Sequence, residues 1–143
     1  MKYNGIIAKK LSYLKDQLAE LRSWELGTVE DFTYDFMKRR AVERMLQVCV
    51  EAMIDICEHL LAVQDIAPGE TSVENLHKVA ELGFIEEPTR FESIVRFRNL
   101  VVHMYESVDP AMLHDIVQNR LGDIDTFVTQ IESQVMDDDT PDA

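Results

Sequence analysis

Apolar residues recur along this chain at alternating spacings of three and four, and no stretch alternates with the period of a strand. Ile7, Leu11, Leu14, Leu18 and Leu21 form one such seam. They predict a first helix over about residues 2–26, broken by Gly27-Thr28. Glu30-Asp31 then leads into a second and longest helix, over about residues 32–64. It carries two seams: Val42, Leu46, Cys49, Met53, Ile56, Leu60 and Val63, and beside them Val50, Ile54, Cys57 and Leu61. A helix apolar over so wide an arc is expected to be covered by more than one partner, here both another helix of the chain and a second subunit.

Turn and capping signals divide the remainder. Ile66-Ala67-Pro68-Gly69-Glu70 reads as a turn. Thr71 with Glu74 reads as a capping box that opens a short third helix, and Gly83 suits the left-handed stop position with Phe84 folding back. Pro88 opens a fourth helix that should end between His103 and Ser107. Asp109-Pro110 reads as an N-cap and first residue of a fifth helix over about 110–135, with Leu113, Val117, Ile124, Val128, Ile131 and Val135 inward. The expected fold is all-α, an antiparallel four-helix bundle with one short additional helix. It forms a single domain over residues 1–136, followed by a disordered acidic tail over 137–143.

Composition suits this architecture: 46% of the 143 residues are hydrophobic, with seven Met, five Gly and four Pro. The net charge of −13 argues against a broad nucleic-acid-binding face. The basic residues are clustered, however, as Lys38, Arg39, Arg40 and Arg44 and as Arg90, Arg96 and Arg98. They are either solvated helix faces or the walls of a local positive cleft. Cys49 and Cys57 stand roughly 12 Å apart along one helix, too far for a disulfide. They read as reduced core residues of a cytoplasmic protein. There is no signal peptide and no apolar run long enough to span a membrane. The chain has no HExxH, no P-loop, no Gly-rich dinucleotide turn and no paired His/Cys spacing, so neither a metal nor a cofactor is expected. His59, His77 and His114 read as structural or surface residues.

Chemically capable side chains crowd together in Arg98-Asn99-Leu100-Val101-Val102-His103-Met104-Tyr105. Phe91, Ile94, Val95, Val101 and Val102 make an apolar stripe with Arg98 in its middle. A guanidinium aimed at a core needs an anion or a pocket, and Glu51, Asp55 and Glu58 are the candidate anions. On an unbroken helix Arg98 and His103 stand roughly 140° apart, so a joint site needs the helix to bend or end, or a wide cleft. The plain alternative is that Arg98 pairs with a carboxylate, His103 caps the helix and Tyr105 packs. The functional alternative is metal-independent RNA cleavage. His103 has the right intrinsic pKa to move protons near neutrality, and Arg98 offers a forked cation for charge developing on phosphate. Asn99 could orient the phosphate or hold the His tautomer.

Arg98, four residues, His103, one residue, Tyr105, with Asn99 after the Arg, resembles the signature of the HepT-like toxins of the HEPN superfamily. The preceding long helix and the layout of about residues 5–135 resemble that family too. The resemblance implies a homodimeric, all-helical ribonuclease with two copies of the motif along a cleft at the subunit interface. It implies the toxin of a type VII-like toxin–antitoxin pair, with RNA as substrate and Arg98, Asn99 and His103 as the catalytic set. The implied antitoxin is a minimal nucleotidyltransferase of the MNT type, which transfers AMP from ATP to Tyr105. Bulk and negative charge beside Arg98 and His103 would then exclude RNA. The competing reading is a non-catalytic helical module that binds such a nucleotidyltransferase, and a third is a plain dimeric scaffold.

Overall fold

The computed structural model of the chain describes residues 5–103 and 109–139, with 99–103 and 136–139 as backbone only. Four long helices make the bundle: α1 (Ile6–Arg22), α3 (Phe36–Val63), α5 (Thr89–His103) and α7 (Leu121–Asp139). Three shorter ones, α2 (Val29–Tyr34), α4 (Ser72–Glu81) and α6 (Pro110–Asn119), complete the described residues, which contain no strand. Side-chain pairs set the directions. Lys10 meets Asp55 at one end of the α1–α3 contact, while Lys38 Nζ donates to the Glu25 carbonyl at the other, 2.6 Å away. Lys15 with Glu132 and Arg22 with Asp125 run α7 antiparallel to α1. Arg90 with Asp123 at 2.7 Å, and Glu86 N–H donating to Gln130 at 3.0 Å, run α5 antiparallel to α7. It follows that α5 is also antiparallel to α3, on which it packs.

The expected seams form the core. All five apolar residues of the α1 seam are buried, as are the six named inward positions of the last expected helix. On α3 both seams are buried except Val63, which packs partly covered against the core. The wide apolar arc of α3 is thus covered inside one chain, by α1, α4 and α5. A second subunit is not needed to cover it, contrary to the sequence expectation. Phe91 and Phe127 meet edge to face, with centroids 5.6 Å apart, where α5 crosses α7. Cys49 and Cys57 are free and buried, and burial pushes both thiols up to about 12.

Two expected helices are divided. Thr28 and Asp31 form a reciprocal capping box that starts α2, with Thr28 Oγ1 accepting from Asp31 N–H at 3.1 Å. Asp35 then leaves the helical region (φ −94°, ψ 84°) and its carboxylate caps α3 by accepting from Lys38 N–H. The cap at Asp35 outweighs the apolar continuity across residues 32–42. Near the C-terminus the chain steps out of helix at Arg120 (φ −121°), which separates α6 from α7. Asp109 caps α6 and Pro110 begins it, as the sequence predicts. At α4, Thr71 accepts from Glu74 N–H at 3.1 Å, but the Glu74 carboxylate accepts from Glu70 rather than Thr71, so only half of the box forms. Gly83 takes φ +88° and Phe84 N–H reaches back to the Val79 carbonyl, the stop that the sequence predicts. α7 runs through Asp139, past the expected start of the acidic tail; residues 140–143 lie outside the described part.

Candidate functional site

α5 is held on its inner face by Phe91, Ile94, Val95 and Phe97, all buried. Phe97 takes the inward position that follows Ile94 by three residues, and this rotates Arg98 out of the core. Arg98 is therefore exposed, not aimed inward as its place in the sequence stripe suggests. It faces a cleft of about 190 Å³ shared with Glu51, Ile54, Asp55 and Glu58 of α3. The three candidate anions are thus at hand, yet none of them makes an ion pair with Arg98 among the described residues. The only one with another ion-pair partner there is Asp55, paired with Lys10. All three carboxylates are exposed.

The helix is unbroken through His103, so the backbone positions of Arg98 and His103 stand roughly 140° apart around its axis. Asn99 lies on the same helix next to Arg98. His103 is about 7.5 Å farther along α5, toward the N-terminal half of α3. Tyr105 and the stretch expected to contain the helix end beyond His103 lie outside the described residues. One chain therefore brings Arg98 to a solvent-open cleft and carries the His103 backbone to the last turn of α5, but does not place the two on one helix face.

The basic clusters of the sequence are largely dispersed. Lys38 reaches the Glu25 carbonyl, Arg39 donates to the Thr33 carbonyl at 2.9 Å and lies 5.3 Å over the Phe36 ring, and Arg90 pairs with Asp123. Arg40, Arg44, Arg96 and Arg98 are exposed without an ion pair among the described residues. Of the other histidines, His77 Nε2 lies 2.9 Å from Glu92 and His114 Nε2 lies 2.8 Å from the Gly27 carbonyl, both structural contacts. No group of three or more His, Cys, Asp or Glu that could hold a metal occurs among the described residues. Among them, no helix is long and apolar enough to cross a membrane. Sequence reasoning assigned nothing to Lys9, Lys10 and Tyr13 of α1, which the fold sets opposite Arg44. Their only signal is the shared polar face of α1, and it acquires meaning once α1 is known to lie along α3.

A family model described as "Ribonuclease HepT-like" matches residues 14–131. The chain belongs to the HepT-like ribonuclease family. Membership makes it an endoribonuclease of the toxin type. The chain is 27% identical over 133 residues to the mRNA nuclease HepT of Shewanella oneidensis, an alignment covering 92% of this chain and 99% of that one. It is 25% identical to the tRNA nuclease HepT of Aphanizomenon flos-aquae, covering 92% and 90%. Its fold superposes with a TM-score of 0.79 on a tri-AMPylated Shewanella oneidensis HEPN toxin solved in complex with MNT antitoxin. That match is 26% identical and covers 91% of this chain and 98% of the other.

Proposed function

We propose that this HepT-like ribonuclease cleaves RNA without a metal, using Arg98, Asn99 and His103. The observation that carries the reading is Arg98 itself: an exposed guanidinium in a cleft, held there by a buried helix face and not consumed by the carboxylates around it. A cation with no ion pair among the described residues is available to an anionic ligand. In the reaction the RNA 2′-oxygen attacks the adjacent phosphorus while the bond to the 5′-oxygen breaks. The 2′-hydroxyl proton passes to a base and the departing 5′-oxygen receives a proton. The products are a 2′,3′-cyclic phosphate and a 5′-hydroxyl. His103 moves the protons, Arg98 stabilises charge on the phosphate, and Asn99 orients it.

The working unit is a homodimer. Three carboxylates surround one guanidinium in the cleft of a single chain, and Arg98 and His103 occupy different sides of their helix. A second copy of the motif alongside the first supplies the missing positive charge and a His103 for each Arg98. The partner is an MNT-type nucleotidyltransferase antitoxin, and Tyr105 is the AMP acceptor; a tri-AMPylated relative solved in complex with MNT antitoxin supports this reading. AMP groups there add negative charge beside the catalytic set and repel the RNA backbone. Buried, reduced cysteines suit action in the cytoplasm.

The test joins product chemistry to modification. Cleaved RNA should carry cyclic phosphate ends with EDTA present. Incubation with the antitoxin and ATP should raise the intact mass in AMP steps and stop cleavage, whereas Tyr105→Phe should neither gain mass nor lose activity to the antitoxin. Products with 5′-phosphate ends would contradict the mechanism; AMP on another residue would contradict the acceptor.

A further inference from the structure

We propose that the groove between α1 and α3 is a binding site for single-stranded RNA that extends the Arg98 cleft along one face of α3. The proposal rests on the ribonuclease mechanism above and assigns the substrate a path. The groove has a volume of about 570 Å³ and is walled by Lys9, Lys10 and Tyr13 of α1 and by Arg44, Glu51 and Asp55 of α3. Sites for small organic ligands occupy roughly 300–1,000 Å³, so the groove is large enough for a nucleotide unit. Glu51 and Asp55 also line the Arg98 cleft, so groove and cleft adjoin.

The side chains fit a polyanion with flat bases. Lys9 and Tyr13 are four residues apart and share a face of α1. Arg44 precedes Glu51 by two helical turns on the exposed stripe of α3. Lys9 and Arg44 are exposed and have no ion pair among the described residues. Tyr13 is 50% exposed, enough ring face to stack a base. Lys10 neutralises Asp55 where groove and cleft join. Glu51, which accepts a 3.4 Å bond from Gln47, is the remaining carboxylate of the groove, and the cations outnumber the acids there.

Charge elsewhere sharpens the assignment. The chain carries −13 overall, so most of its surface repels RNA. A strand held at Arg98 leaves along the face where Lys9 and Arg44 have no ion pair among the described residues. Because α5 is antiparallel to α3, the direction from Arg98 to His103 is also the direction from Asp55 to Arg44. The groove therefore accompanies the motif helix toward its C-terminal end.

The experiment uses the full-length His103→Ala chain, which leaves RNA intact, and a fluorescein-labelled oligouridine. Lys9→Ala with Arg44→Ala should weaken binding about tenfold or more and reduce the slope of log affinity against log salt by about 1.4, roughly 0.7 for each phosphate no longer neutralised. Tyr13→Ala should weaken binding severalfold and Tyr13→Phe should restore it. In the catalytically intact chain the same substitutions should raise KM. Unchanged affinity and salt slope in variants whose parent binds the probe would overturn the groove while leaving the catalytic reading intact. A change of oligomeric state by light scattering would also overturn it, by making the groove a subunit contact. Failure of the His103→Ala parent to bind any RNA would remove both readings together.

Discussion

Arg98 of α5 and Asp55 of α3 line the same cleft without pairing; Asp55 is held by Lys10 of α1 instead. The arrangement leaves a cation at the surface beside an acid that is already engaged. Arg98→Ala should therefore lower RNA cleavage by at least about 100-fold, the usual scale for losing a group that stabilises charge in the transition state. Stability should change by no more than about 0.5 kcal/mol, because Arg98 is exposed and makes no described ion pair. Arg98→Lys should recover little, since an ammonium lacks the forked donor geometry. Paired cleavage assays and thermal melts of the three chains check this.

Asn75 is the buried polar residue of the described core, 3% exposed, and its side-chain oxygen accepts from Gly69 N–H at 2.7 Å. That bond fastens the turn before α4, where a Cβ on Gly69 would come within 2.4 Å of the Glu74 carboxylate. Asn75→Ala leaves the Gly69 donor without its partner and should cost about 1–3 kcal/mol, read as a lower urea midpoint. Cleavage should persist in the folded fraction.

The buried thiols set an alkaline limit. Burial raises Cys49 and Cys57 from 9.0 in the unfolded chain to about 12 when folded. A raised folded pKa contributes stability that is fully present below pH 9 and lost as pH rises toward 12, because only the unfolded chain releases those protons. Urea midpoints should fall across that window. The Cys49→Ala, Cys57→Ala chain should be less stable at neutral pH, through poorer packing, but should show a smaller further loss across the alkaline window. Native wild type should also resist thiol alkylation until denatured.

Much of the bundle is legible in the sequence because burial follows helical periodicity. The Ile7 to Leu21 seam and the two seams of α3 predict the core nearly residue for residue. The breaks at Asp35 and Arg120 are not legible, since apolar spacing continues across both and only local capping and backbone geometry interrupt the helix. The orientation of Arg98 escapes the sequence for a related reason. Phe97 and Arg98 are neighbours about 100° apart around α5, and packing against α3 and α7 decides which of them turns inward. The motif residues stand out as a pattern of types and spacing. Lys9, Lys10, Tyr13 and Arg44 do not, because it takes tertiary structure to bring positions about 30 residues apart into one groove. The apolar arc of α3 that suggests a second subunit in the sequence is covered within the chain, and what favours a dimer is instead the charge and helix geometry around Arg98.

The most direct test of the account is a cleavage assay on total cellular RNA in EDTA, comparing the wild type, verified as free of AMP by intact mass, with folded His103→Ala. The account predicts cleavage by the wild type and none by the variant. Equal cleavage by both, or none by a folded and unmodified wild type, would contradict it.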